Sequence, residues 1–260
     1  MRKLRLIAVL VMLLCLITGC TASRRGLTVA GSTSVLLMAD MLAEAYTRAG
    51  GSRVAVHGVG STAGVQAVQS GVADVGMISR RLAPSESAQG MVEHIIAYDV
   101  LAVVVHPDNP LAGRSLSVAQ LRQLYSGAAT DWAQMGGRKG SVHLISRESG
   151  SGSKDAFQTV VGKTTLNAIV LNASGMITIA VDSDPNAIAY LSLGLARAAG
   201  LGILAVDGRQ PEDPDYPLRR AFSFVTRGPA TGEAAAFIRF ARSRAGQQVI
   251  TEEGLVPVRE

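Results

Sequence analysis

The chain has 260 residues, 48% of them apolar and only 4% aromatic, and its 25 basic and 20 acidic side chains give a formal charge of +5. That length can bury a sizeable core in one large or two modest domains. No cluster of Lys and Arg interleaved with aromatics occurs, which excludes base stacking on a basic surface and argues against nucleic acid as a partner.

Met1-Arg2-Lys3-Leu4-Arg5 is followed by an almost wholly apolar run from Leu6 to Leu16 and then by Ile17-Thr18-Gly19-Cys20. A basic start, a short apolar run and small residues before a cysteine predict a secretory signal over residues 1–19 with a lipoprotein cleavage box. The run is too short for a spanning helix. Cys20 becomes the acylated first residue and residues 20–26 a tether, which places the protein outside the cytoplasm, lipid-anchored to the outer face of the cell membrane or in the periplasm. Cleavage leaves 241 of the 260 residues. Because Arg2, Lys3 and Arg5 leave without any acidic residue, the charge falls from +5 to +2. Cys15 leaves as well, so no internal disulfide is expected.

Leu27-Thr28-Val29-Ala30 reads as a strand that runs into Gly31-Ser32-Thr33-Ser34. Val35, Leu36, Met38, Ala39, Leu42, Ala43 and Tyr46 then form a helical stripe that stops at Gly50-Gly51. The same design repeats with Val54 to His57, the turn Gly58-Val59-Gly60-Ser61-Thr62, and a short helix through Val65 and Val68 to Ser70-Gly71. Ala73 to Ile78 is a further strand closing on Ser79-Arg80, and Ile95 to Tyr98 and Val100 to Val105 are two more. This alternation predicts an α/β sheet with helices on both faces and ligands at the carboxyl ends of the strands.

His106-Pro107-Asp108-Asn109-Pro110 marks the entrance to a second lobe. There the sequence predicts a helix from Ser117 to Tyr125 with Ser117 as cap and Gly127 as stop, then a strand from Val142 to Ile145. Arg147-Glu148-Ser149-Gly150-Ser151-Gly152-Ser153-Lys154-Asp155 follows, and leads into a helix carrying Ala156, Phe157, Val160 and Val161. A helix near Pro185 to Leu193, a strand from Gly202 to Val206, a proline-rich loop over 210–217 and a return strand from Phe222 to Thr226 come next. A helix from Thr231 to Ser243 and a short one from Gln247 to Glu253 return to the first lobe.

Three segments therefore place hydroxyl and N–H donors at helix starts. The first N–H groups of a helix lack intrahelical partners, and its dipole adds about half a positive charge there, so an oxyanion is well held. A capped helix with a serine turn explains any one segment. Three of them, with Arg147 able to grip two oxygens, point to a site enclosing one tetrahedral oxyanion.

Catalytic signatures fail on inspection. Ser151-Gly152-Ser153-Lys154 has the serine–lysine spacing of penicillin-recognising enzymes, but no Ser-Asp-Asn or Lys-Thr-Gly accompanies it. Gly162-Lys163-Thr164 has Phe157 where a phosphate loop needs glycine. His57, His94, His106 and His143 show no metal spacing, so no metal or cofactor is expected. Trp132 reads as a packing residue, and Lys154-Asp155 as the start of a solvated helix face.

Together these motifs resemble the phosphate-binding lipoproteins of phosphate-specific ABC transporters, which have the type II periplasmic binding protein fold. The resemblance rests on the Gly31 to Val35, Gly58 to Gly64, Ala73 to Arg80 and Arg147 to Ser153 motifs and on the closing Gly246 to Val258 segment, and it covers the mature chain nearly end to end. It implies two lobes, each a mixed, mostly parallel sheet flanked by helices, joined by two crossing strands with the ligand in the cleft. Lobe 1 would take residues 27–104 and 221–260, lobe 2 residues 105–220. It further implies a non-enzymatic monomer that binds inorganic phosphate by hinge closure and delivers it to a transmembrane permease with a cytoplasmic ATPase. The family's contacts fall on Thr33, Ser34, Ser61, Arg147, Ser151, Gly152 and Ser153, with Ser32 beside them. In one branch of the family an aspartate accepts the proton of hydrogen phosphate at the position that here holds Ser79, which leaves phosphate–sulfate discrimination open. Arg80 either faces the anion or braces the cleft through acidic side chains. Many relatives carry a carboxylate two positions after the arginine of the third motif; here Ser149 stands there and Glu148 precedes it. The rival readings are a binding protein for sulfate, molybdate or tungstate, a surface sensor not coupled to transport, and, in third place, a phosphatase-like hydrolase.

Overall fold

The computed structural model of the protein describes residues 26–258, so the expected signal, Cys20 and nearly all of the tether lie outside the described residues. Eleven strands form one curled mixed sheet. Its main order is β2 (Val54–Gly58), β1 (Leu27–Gly31), β3 (Val75–Ile78), β10 (Arg219–Arg227), β4 (Met91–Val105), β8 (Ala187–Ser192), β6 (His143–Arg147) and β7 (Ile169–Leu171), with β5 (Ser115–Leu116), β9 (Gly202–Val206) and β11 (Val256–Pro257) paired off this path. The β1–β2, β1–β3, β6–β7 and β6–β8 pairs are parallel, as their helical crossovers require; every pair that β4 or β10 makes is antiparallel.

The helices α1 (Leu36–Arg48), α2 (Ser61–Gln69), α3 (Pro84–Ala88), α4 (Val118–Ser126), α5 (Gly152–Val161), α6 (Ser174–Asp182), α7 (Leu193–Ala198), α8 (Gly232–Arg242) and α9 (Arg244–Glu252) cover the sheet. Two large apolar cores result. One gathers Val29, Leu42, Met77, Phe224, Phe237 and Ile250; the other gathers Val103, Leu121, Tyr125, Phe157, Val181 and Tyr190. In the second core the Phe157 and Tyr190 rings stack with centroids 4.0 Å apart. Strand β4 belongs to both cores: its first part pairs with β10 up to Val100, and Leu101 to Val105 pair with β8.

The expected capping of α4 is present. Ser117 Oγ accepts from Gln120 N, and Gly127 closes the helix at φ +82° in the left-handed region. Two expectations fail. Ile95 to Tyr98 and Val100 to Val105 are parts of one continuous strand, because Asp99 between them is neutralised inside the protein and so does not end the run. Ala187 to Ser192 is a strand, not a helix: each of its residues is buried, as in a central strand covered on both faces. The flanking helices are α6 and α7, which the sequence reading did not find.

Candidate functional site

Four strand–turn–helix units end at one place. Units β1–α1, β2–α2, β6–α5 and β7–α6 bring Thr33 and Ser34, Ser61, Ser153 and Ser174 to the carboxyl edge of the sheet, each at or within three residues of a helix start. Glycine sets two of the approaches. A Cβ on Gly64 would stand 2.5 Å from Ala30 O and from Gly31 Cα, so only glycine lets α2 lie this close to β1. A Cβ on Gly152 would come within 2.6 Å of Ser79 Oγ and closer still to Ser61 Oγ, which brings the start of α5 against the β2–α2 and β3 turns.

The hydroxyls interlock across the join. Ser34 Oγ lies 2.9 Å from Ser153 Oγ and 3.0 Å from Ser174 Oγ, and Thr33 Oγ1 lies 3.3 Å from Ser174 Oγ. Ser32 Oγ accepts from Ser34 N and donates to Ser79 Oγ, and Ser79 N donates to Ser61 Oγ. Ser61, Ser79, Ser153 and Ser174 are all at least 98% buried. Four helix N-termini converge on these groups, so the local field favours negative charge without any free cation.

Two buried guanidinium groups complete the ring. Arg147 donates to Ser174 Oγ at 3.1 Å and to Thr33 Oγ1 at 3.2 Å, while Glu148 holds it from behind through both carboxylate oxygens at 2.8 and 2.9 Å. The carboxylate that steadies the arginine thus sits one residue after it. Arg220 lies on β10 directly opposite Asp99 of β4. It donates twice to Asp99 Oδ2, at 2.9 and 2.7 Å, and once to Ser153 Oγ at 2.7 Å. Ser192 Oγ donates to the other Asp99 oxygen. Full burial pushes the Asp99 carboxyl above its ordinary range, while Arg220 pulls it back.

Several candidates sit elsewhere in the arrangement. Ser151 caps α5 and accepts from Lys154 N. Arg80 turns to acidic groups: it donates to both oxygens of Glu86 at 2.7 and 2.8 Å and to Thr62 Oγ1, and its Nε lies 3.0 Å from Asp155 Oδ2, with the N–H out of line for a hydrogen bond. Asp155 is therefore no purely solvated helix residue; it spans from α5 to the β3 turn. Beside it, Gly150 O accepts from Thr62 N at 3.1 Å. Trp132 is buried, and its indole donates to Asn186 O. Among the described residues no group of three or more His, Cys, Asp or Glu side chains could hold a metal ion, and no helix is long and apolar enough to cross a membrane.

Ser174, Arg220 and Asp99 are part of the ring or its support and were not singled out from sequence. Ser174 was within reach: Ile169-Val170-Leu171 followed by Asn172-Ala173-Ser174-Gly175 repeats the strand and hydroxyl-turn design a fourth time. The signal for Asp99 was one charge inside a long apolar run, which is stable only when buried and paired; Arg220, which follows Arg219 at the start of its strand, carried no such signal.

The fold and the ring define a two-lobed periplasmic binding protein of type II, with buried donors from several helix starts converging on one another. Residues 18–245 match the profile of the PBP superfamily domain. The chain is 26% identical over 252 residues to the phosphate-binding protein PstS of Borreliella burgdorferi, a match covering 89% of this chain and 90% of that one. It is 25% identical over 243 residues to PstS of Bacillus subtilis, covering 89% and 80%. Among solved structures it is similar to a Clostridium perfringens protein described as a phosphate ABC transporter substrate-binding protein with bound phosphate, at a TM-score of 0.85 and 32% identity, covering 90% of this chain and all of that one. An ABC-type phosphate transport receptor from Vibrio cholerae matches at a TM-score of 0.75 and 31% identity, covering 89% of this chain. The chain belongs to the PBP superfamily and, within it, to the substrate-binding proteins of phosphate ABC transporters.

Proposed function

We propose that this protein captures inorganic phosphate outside the cytoplasm and delivers it to the permease of an ABC transporter, without catalysing a reaction. The observation that carries the reading is the meeting of Arg147, fixed by Glu148, with the Thr33, Ser34, Ser153 and Ser174 hydroxyls at three helix starts. Such a ring offers a tetrahedral anion donors from several directions, and exclusion of water strengthens each of them.

In this reading Thr33, Ser34, Ser61 and Ser79 belong to one lobe, over residues 27–104 with the return segment 221–260. Arg147, Ser153 and the newly found Ser174 belong to the other, over 105–220, and the lobes close by bending where β4 and β10 cross. Only the closed form satisfies both sets with one ligand, so binding drives closure. Ser32, Ser151 and Gly152 shape the turns, and the Arg80–Asp155 pair with the Thr62–Gly150 hydrogen bond latches the closed form. The chain works as a monomer tied to the membrane through lipidated Cys20; Cys20→Ser should release it from the membrane fraction.

Isothermal titration of phosphate into protein stripped of bound anion should give one site per chain. Arg147→Ala should weaken it at least tenfold, the scale of a lost charge-assisted contact. Absence of binding at millimolar phosphate would overturn the reading, as would turnover of a chromogenic phosphate ester that is lost in Arg147→Ala.

A further inference from the structure

The ring can be counted lone pair by lone pair. A hydroxyl has one hydrogen to give and two lone pairs to receive, and its hydrogen rotates toward whatever acceptor is left. Thr33 Oγ1 already accepts from Arg147 Nη2 and from Ser174 N. Ser174 Oγ accepts from Arg147 Nη1, Ser153 Oγ from Arg220 Nη1, Ser61 Oγ from Ser79 N, and Ser79 Oγ from Ser32 Oγ. Thr33 Oγ1 thus has both lone pairs taken by the frame, the other four hydroxyls have one taken and one left, and each of the five has a hydrogen to offer.

The carboxylates are engaged too. Glu148 has both oxygens on Arg147, Asp99 has one on Arg220 and one under Ser192, and Glu86 has both on Arg80. Among the described residues no carboxylate bonds a hydroxyl of the ring. No N–H reaches the oxygen of Ser34, which faces the Ser153 and Ser174 hydroxyls, each already polarised by a guanidinium.

We infer that the site is a donor cage that recognises a tetrahedral dianion by charge and shape and has no carboxylate with which to demand a proton on the ligand. Sulfate, fully ionised, therefore occupies the same site as phosphate. Only neutral hydroxyl lone pairs, that of Ser34 among them, are there to receive the hydrogen of hydrogen phosphate, and a single neutral hydrogen bond limits phosphate's advantage to about tenfold. This inference rests on the phosphate-binding reading above.

The test is calorimetry on anion-stripped full-length mature protein at pH 8, with potassium sulfate and potassium phosphate titrated separately and then in competition. Sulfate binding at one site, displaced by phosphate and within about tenfold of it, supports the inference. Phosphate binding that a thousandfold excess of sulfate leaves unchanged overturns it, as does sulfate that binds without competing. Absence of binding by phosphate itself fails the functional reading instead. As a second arm, Ser79→Asp places an acceptor in the cage. Two acceptors then face each other without a hydrogen when sulfate binds, so sulfate affinity should fall at least tenfold more than phosphate affinity. An unchanged ratio would show that the ring does not work as a donor cage.

Discussion

Replacing Arg220 by methionine tests how the β4–β10 ladder is held together. Its side chain is 2% exposed and that of Asp99 1%, and the two face each other in the ladder. Without the guanidinium, Asp99 keeps only the Ser192 hydroxyl and the Val100 N–H. Removing one partner of a buried pair costs about 3–5 kcal/mol. At about 2–4 °C per kcal/mol for a chain of this size, Tm should fall by roughly 6–20 °C. The loss should depend on pH, with a definite sign. Burial already raises the Asp99 carboxyl, and without Arg220 it rises further. A carboxyl whose pKa is higher folded than unfolded favours folding below the unfolded value and loses that contribution as pH rises through the folded one. The variant should therefore regain stability as pH drops from neutral into the carboxylate range. Asp99→Leu/Arg220→Met removes both charges and should recover most of the loss, since apolar replacements of a buried pair are close to neutral. Urea unfolding of the wild type, both single variants and the double variant across pH measures this. A loss below about 1 kcal/mol for Arg220→Met, or strictly additive losses in the double variant, would refute the reasoning.

Gly152→Ala puts a methyl onto Ser61 and Ser79 and should hold the lobes apart, weakening phosphate binding at least tenfold in calorimetry while far-ultraviolet dichroism stays native. Ser174→Ala takes away the hydroxyl that accepts from Arg147 and should weaken binding several-fold, about the value of one hydrogen bond to a charged group; unchanged affinity would remove Ser174 from the ring. Burial pushes Glu86 up, but Arg80 and the Ala83 N–H together hold it below its ordinary 4.5. Its stabilising contribution is thus present above that value and lost as pH falls through the lower folded one, so Glu86→Gln should lower Tm at neutral pH and match the wild type in strong acid. Asp155→Asn should speed phosphate release in stopped-flow more than it slows capture, because in the proposed closure the Arg80–Asp155 pair joins the two lobes.

Much of the fold was legible because local chemistry and tertiary context agree. The glycine-stopped stripe of α1, the Ser117 cap and Gly127 stop of α4, and the two C-terminal helices need only their own residues to be recognised. The hydroxyl turns at Thr33, Ser61 and Ser153 were legible for the same reason, since each follows a strand and opens a helix. What failed depended on partners distant in sequence. Asp99 looked like a strand boundary until Arg220, 121 residues on, is seen opposite it. The run Ala187 to Ser192 has no alternation to mark it as a strand, because both of its faces are covered. Glu148 beside Arg147 looked like a departure from the family spacing, yet its carboxylate reaches the guanidinium from the adjacent residue.

The most direct test of the central claim is a high-resolution crystal structure of the mature protein grown with phosphate. A tetrahedral anion should lie between Arg147 and the Thr33, Ser34, Ser153 and Ser174 hydroxyls, with their oxygens within hydrogen-bond distance of it. Phosphate bound elsewhere, with Arg147 still closed on Thr33 and Ser174 and no anion between them, would contradict the account.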